Sequence, residues 1–408
     1  MTSPREAAYG VWLYDDRVGT LNQRGDYTWF EFSEDYRRDP DRAVLGLWFE
    51  DRLLLRHASH MRVHPWFSNL LLEGRLREWI ADGKGVSADR EMELLAQVGH
   101  DLPGAVRVLP ADTEPGETPV AEAISADRGK PGALEWRFSL AGVQLKFSML
   151  QQGDRLTLPA FGRGGDWIVK LPDRLHAGVP HNEYAMMSLA AKAGIDVPDI
   201  RLVHRDELPD LPATAWPESE SWAFAVRRFD RGADRGLIHI EDLAQVRGFW
   251  PDDKYNGTYE TAAALVYRRR DVAALREFAR RLAFDVLITN GDAHLKNWSL
   301  IYRDHRIPTL APAYDLVSTE VYRETGDLET LGLRFNGTKR FDRVSVGSFT
   351  RLQERLGATG ARLDEAVANT VRRAVSAWPE VADSIAGHPH LVDGIDRSIR
   401  ARAATLLG

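Results

Sequence analysis

Along residues 8 to 57 apolar and polar side chains alternate, as in Val11-Trp12-Leu13-Tyr14 and Tyr27-Thr28-Trp29-Phe30, with Asp15-Asp16-Arg17-Val18-Gly19 as a turn between them. That period of two predicts a small antiparallel sheet. The period then lengthens to a helical one over Trp66 to Ile80 and again over Ala88 to Val98, where Gly99 is placed to cap. A strand from Gly104 to Leu109 closes this unit, and Asp112-Thr113-Glu114-Pro115-Gly116-Glu117-Thr118-Pro119 has the composition of a linker. Short strands follow at Arg137–Leu140, Val143–Leu150, Leu156–Leu158 and Trp167–Leu171, with Phe161 to Asp166 as a hairpin turn. A helix from Asn182 to Ala193 and strands at Ile195–Val203 and Ser221–Phe229 complete the middle of the chain. Ile240 to Gln245 looks like a helix start, with carboxylates in the first turn. From Tyr259 helices dominate: Asp271–Ile288, with Leu275, Phe278, Leu282 and Val286 on one face, then Phe349–Leu356, Leu363–Ala377, Glu380–Ile385 and Leu391–Leu407, with one strand expected at Leu331–Phe335. The pattern predicts an α+β molecule with a β/α unit over 1–112, a β-rich lobe over 132–230 and a helical lobe over 231–408.

Composition narrows the classes. At 408 residues, 44% apolar and 28% charged, the chain is an ordinary globular sequence. It has no cysteine, so disulfide frameworks and thiolate metal sites are out, and a reducing, cytoplasmic location is expected. No apolar run approaches the ~20 residues that span a bilayer, so no membrane role is expected. A net charge of −7 argues against direct nucleic-acid binding.

The chemistry is concentrated in Thr289-Asn290-Gly291-Asp292-Ala293-His294-Leu295-Lys296-Asn297-Trp298 and, downstream, Ala311-Pro312-Ala313-Tyr314-Asp315-Leu316. An Asp, an Asn five positions on and a second Asp across a short hairpin suit metal-assisted phosphoryl transfer. Asp292 can deprotonate a hydroxyl, while the Asn297 amide oxygen and Asp315 can hold Mg²⁺ against ATP phosphates. Asn-Gly-Asp is also a common turn, but here it emerges from an amphipathic helix and is followed by a hairpin at Trp298–Tyr302 and Thr309–Ala311, the local order of a kinase C-lobe. Lys170 ends an apolar strand and Glu183, thirteen residues on, opens a helix, the ion pair that kinases use to position phosphates. A snorkelling lysine and a helix-start acid are the plain readings of the same two residues. Gly142, in Ser139-Leu140-Ala141-Gly142-Val143-Gln144-Leu145-Lys146, sits where kinases place a phosphate-covering loop, and Arg227-Arg228-Phe229 leave the sheet where a hinge meets adenine. The expected architecture is a protein-kinase-like two-lobed fold.

In order and spacing these segments, with Val18-Gly19, Leu94-Leu95, Val98-Gly99, Gly104-Ala105-Val106, Ile168-Val169-Lys170-Leu171-Pro172, Asn182-Glu183-Tyr184, Ala225 to Arg231, Glu241-Asp242 and Tyr314-Asp315, resemble the HipA family of toxin serine/threonine kinases over nearly the whole chain. The resemblance implies Asp292 as general base and Asn297 and Asp315 as Mg²⁺ ligands. It puts Lys170, His294 and Lys296 at the phosphates, Ala141, Gly142, Val143, Gln144, Leu145 and Lys146 in the phosphate loop, and backbone atoms of Arg227, Arg228 and Phe229 at adenine. It also implies inhibitory autophosphorylation of Ser139, since two negative charges there would repel the nucleotide. A helix-turn-helix antitoxin is the implied partner, so that DNA is reached only indirectly, and aminoacyl-tRNA synthetases are the implied class of protein substrate. Leu145, Arg227 and Asn290-Gly291 depart from the family's usual residues. Two other readings share the same site residues: a small-molecule phosphotransferase of the aminoglycoside or choline kinase type, and a catalytically idle kinase-fold binding module.

Overall fold

The computed structural model describes residues 6–73, 77–78, 81–82, 85–115, 145–152, 155–157, 165–211, 213–324 and 327–408. Ser139, the expected strand around it, and Ala141, Gly142, Val143 and Gln144 lie outside the described residues, as does most of the expected hairpin turn at Phe161 to Asp166.

The first unit is an antiparallel sheet of β1 (Glu6–Leu13), β2 (Asp16–Arg24), β3 (Tyr27–Phe32), β4 (Ala58–His60) and β5 (Val106–Pro110), in the order β4-β3-β2-β1-β5. Its alternation buries Val11, Leu13, Leu21 and Phe30 against Trp66, Phe67 and Leu95. Among the described residues the helix expected from Trp66 to Ile80 is interrupted: it opens with one turn, Pro65–Ser68, after which the Asn69 side chain folds back onto the Pro65 carbonyl at 2.9 Å and reaches the Phe249 carbonyl at 2.7 Å, and residues 77–78 are helical again. Leu70 and Leu71 still enter the core, but from turns. Glu91–Val98 forms the next helix, ended by Gly99. Gly99 has an ordinary right-handed φ of −60°, and its lack of a side chain serves packing: a Cβ there would lie 2.1 Å from the Val108 carbonyl oxygen.

The second sheet, ordered β7-β6-β8-β10-β9, contains β6 (Lys146–Gln152), β7 (Arg155–Thr157), β8 (Trp167–Lys170), β9 (Ile200–His204) and β10 (Trp222–Arg227). Lys146 and Phe224 flank Lys170 in register on the two neighbouring strands. The helix Val179–Lys192 packs beside this sheet and places Glu183 in its interior.

Ile240 and Glu241 belong to a strand, β11 (His239–Asp242), and not to a helix start. Asp242 is instead the cap of the short helix Leu243–Arg247, exchanging hydrogen bonds of 2.8 Å with Gln245. β11 pairs with β12 (Ser299–Tyr302), and β12 with β13 (Thr309–Leu310). Helices at Tyr259–Tyr267, Val272–Leu287, Val346–Arg355, Leu363–Ser384 and Pro389–Leu407 make up the rest. The two helices expected on either side of Pro379 are one. Trp378 and Val381 keep the same buried face, and the carbonyl that Pro379 leaves without a donor belongs to Val375, whose side chain is 41% exposed, so water can serve it. Leu331–Phe335 is not a strand; it makes only isolated bridges, Thr258 to Arg334 and Phe335 to Thr338. Among the described residues no helix is long and apolar enough to cross a membrane.

Candidate active site

The amphipathic helix Val272–Leu287 buries Leu275, Phe278, Leu282 and Val286 and ends at Ile288, delivering the polar loop 289–297 to the edge of the largest core. Thr289 turns the chain at φ +56°. Asn290 then ties the loop to its own helix, its amide donating to Asp285 at 2.9 Å, while its side-chain oxygen accepts the Asp292 N–H at 3.1 Å. The Gly291 N–H donates to Thr319 at 2.8 Å, and a Cβ at Gly291 would stand 2.4 Å from the Glu329 side chain. These contacts give Asn290-Gly291 a local purpose in shaping the loop. The Asn297 amide nitrogen closes it by donating to the Asp292 carbonyl at 2.9 Å, which leaves its amide oxygen as an acceptor. The Asp292 carboxylate projects outward, its side chain 57% exposed.

Opposite lies a buried charge cluster. Lys170 donates to both Glu183 and Asp315, the latter 145 residues away in sequence, and Lys146 stands 4.0 Å from the second Asp315 oxygen. Burial alone would lower the Lys170 ammonium, but Asp315 and Glu183 outweigh it and hold it above its ordinary range. Burial alone would raise Asp315, yet Lys146 and Lys170 hold it well below the usual carboxylate range, so it is ionised. Glu183, buried and sharing its cation, is pushed upward by desolvation. Asp315 itself adopts φ +55°, a left-handed conformation that Asp tolerates better than most residues. Asn182 anchors the neighbouring segment through paired bonds with Ser318 at 2.9 and 3.0 Å, fixing the Glu183 helix to the chain after Asp315.

Lys146, Lys170 and Asp315 of this cluster, with Lys296 of the loop, open onto a cleft of about 720 Å³, a size suited to a nucleotide. Its apolar walls include Val98, Leu102, Ile168, Val226 and Ile240, and its polar lining includes Lys146, Lys170, Asp242, Lys296 and Asp315. Phe229 and Tyr314 face each other across it at 5.6 Å. Asn297 and Asp315 together line an adjoining recess of about 10 Å³. Among the described residues no three His, Cys, Asp or Glu side chains form a metal cluster. A hard amide oxygen and an ionised carboxylate suit Mg²⁺ held partly by nucleotide phosphates and water. The buried His294 Nδ1, two residues after Asp292, has no hydrogen-bond partner among the described residues.

Other expected site residues sit differently. Leu145 packs on the second sheet's core rather than facing the cleft with charge. Arg227 and Arg228 both line the cleft; the Arg227 side chain reaches out to Asp199 at 3.3 Å, and the Arg228 guanidinium is buried between Asp230 and Asp101. Lys296 lines the cleft but is held by Glu73 at 2.7 Å and by the Asn69 carbonyl at 3.0 Å, both from the first unit. Glu73 also takes Lys254 at 2.7 Å, and these two lysines overcome burial to lower its carboxyl to about 2. Nothing in the periodicity singles out Glu73, and Tyr255, which donates its hydroxyl to Asp292, lies in a turn whose Pro, Asp and Gly hide it.

Comparison with known proteins gives a consistent picture. A family model described as the HipA-like C-terminal domain matches residues 138–378, and one described as the HipA N-terminal domain matches residues 9–109. The protein Y4dM of Sinorhizobium fredii is 42% identical over 402 residues, 96% of each chain. The serine/threonine-protein kinase toxin HipA of Shewanella oneidensis is 28% identical over 302 residues, 64% of each chain. A solved structure of the Shewanella oneidensis HipA, HipB and operator DNA complex contains a chain that superposes with a TM-score of 0.72 at 21% identity, covering 97% of this chain and 99% of that one, which shows a shared fold.

Proposed function

Because this chain belongs to the HipA family of kinase toxins, we propose that it is an ATP-dependent serine/threonine protein kinase whose base is Asp292. The observation that carries the reading is the meeting of Lys170, Glu183 and Asp315, with Lys170 and Asp315 lining a nucleotide-sized cleft to which the Asp292 loop contributes Lys296. Asn297 and Asp315 would hold magnesium. When bound, that ion neutralises charge on the nucleotide phosphates. Lys170, steadied by Glu183, adds a second positive charge to the transferring group, and backbone atoms of Arg227 to Phe229 meet the adenine. Asp292 accepts the proton of the acceptor hydroxyl as its oxygen bonds to phosphorus and ADP leaves.

The acceptor is a protein hydroxyl, with aminoacyl-tRNA synthetases the class implied by resemblance, and the site of action is the cytoplasm. The Shewanella relative's complex with HipB and operator DNA supports a helix-turn-helix antitoxin as partner, so that this chain reaches DNA only through it. Ser139 is the proposed inhibitory autophosphorylation site, and Ser139→Ala should leave transfer intact while removing self-inactivation. The primary test incubates the protein with labelled ATP, Mg²⁺ and cell lysate. Label should enter protein and fall by on the order of a thousandfold in Asp292→Asn. Label confined to small molecules would instead identify a small-molecule phosphotransferase, and equal toxicity of parent and variant in cells would point to an idle binding module.

A further inference from the structure

The short turn Pro251–Asp253 and the residues after it run as a strap beside the Asp292 loop, which Lys254 and Tyr255 touch. The strap is tied down on both sides. Arg62 reaches Asp252 at 2.8 Å and stacks 5.0 Å from the Trp250 ring, Lys254 Nζ reaches Glu73, and the Lys254 carbonyl accepts the Leu295 N–H at 3.0 Å. Tyr255 sits on this strap with 41% of its surface exposed and its ring edge-on to His294 at 5.0 Å. Its hydroxyl donates to Asp292 Oδ1. A hydroxyl therefore already stands on the carboxylate that, on the kinase reading, receives the acceptor's proton.

We propose, resting on that reading, that Tyr255 is a gating and specificity-determining residue of the acceptor site: its hydroxyl occupies the place of the acceptor hydroxyl, and an acceptor must displace it to reach Asp292. Burial and then the Asp292 carboxylate push the phenol upward, so it stays a proton donor throughout the working pH range. Because the backbone of the strap is fixed and the ring is partly exposed, displacement needs only a side-chain rotation. The strap's Lys254, Asp252 and Tyr255 then border the incoming chain, which fits an extended protein segment presenting a serine or threonine.

Tyr255→Phe removes the hydroxyl and keeps the ring on His294. In the full chain with MgATP, the probes are water, read as ATP hydrolysis, and a tyrosine-free serine peptide selected from a library by the parent protein. The variant should show a KM for peptide lowered roughly three- to tenfold at unchanged kcat, and hydrolysis raised by a similar factor, the size of one part-exposed hydrogen bond. Melting curves of parent and variant should coincide, and Tyr255→Ala should behave the same way if the ring is dispensable to folding. A parent that is active and abolished by Asp292→Asn, with Tyr255→Phe unchanged in KM and hydrolysis or reduced in kcat, overturns this inference alone. A folded parent that transfers nothing to either probe overturns the kinase reading and this inference with it.

Discussion

Asp285 lies in the last turn of its helix, almost wholly buried, and accepts the Asn290 amide that shapes the Asp292 loop. Desolvation pushes its carboxyl up to about 7, against the pull of Asn290 and Arg281. A raised folded pKa means the folded state binds more protons, so this group's contribution to stability is present below the unfolded value near 4 and lost as pH rises through about 7. Asp285→Asn keeps an acceptor for Asn290 and carries no charge. It should therefore be more stable than the parent at pH 8, by up to roughly 4 kcal/mol, with the advantage vanishing toward pH 4. Denaturant melts across that range check it; a difference that ignores pH would refute the assignment. Such a residue was invisible beforehand, since an Asp inside an amphipathic helix reads as solvated until burial is known. Asp292, Asn297 and Asp315 were legible as candidates because their spacing is tied to a chemistry, and Lys170 because a strand end places it, whereas Glu183, expected to open its helix, lies a turn inside one that starts at Val179.

Among elements, the Val272–Leu287 helix and the β12–β13 hairpin follow their apolar periods closely, and so their boundaries could be read within a residue or two. The misplaced elements each have a local cause outside periodicity. Asn69 closes the first turn of an expected helix by hydrogen bonding, Asp242 moves a helix start by capping, and burial on both sides carries a helix through Pro379. β11 shows what the tertiary context adds. Its Glu241 accepts the Leu47 N–H at 2.9 Å, the Trp66 indole at 3.1 Å and the Tyr302 hydroxyl, joining the first unit to the hairpin that follows the Asp292 loop. Trp66→Phe removes one donor from this buried carboxylate and should cost about 1 to 3 kcal/mol, read from chemical denaturation. A neutral result would mean that the indole bond adds nothing to the junction.

For the molecule as a whole, contacts that bind the first unit to the rest of the chain include the Glu241 junction, the Glu73–Lys296 pair, and a buried cluster in which Asp101 joins Arg228, Asp230 and Arg231. Asp101 meets Arg228 at 2.8 Å and Arg231 at 2.9 Å, and the Leu102 carbonyl accepts from both, so deleting residues 1–112 would remove these partners and open the cluster to water. Asp101→Ala in the full chain instead leaves two buried guanidinium groups on Asp230 and should cost at least about 3 kcal/mol in chemical denaturation. None of these cross-unit pairs could be foreseen, because residues 127 and 130 positions apart carry no local signal of their meeting. The central claim is that Asp315 and Asn297 grip magnesium against a nucleotide held by Lys170. Calorimetric titration of the folded protein with ATP tests it most directly: binding should require Mg²⁺ and be lost or sharply weakened in Asp315→Asn, whereas magnesium-independent affinity, or none at all, would contradict the account.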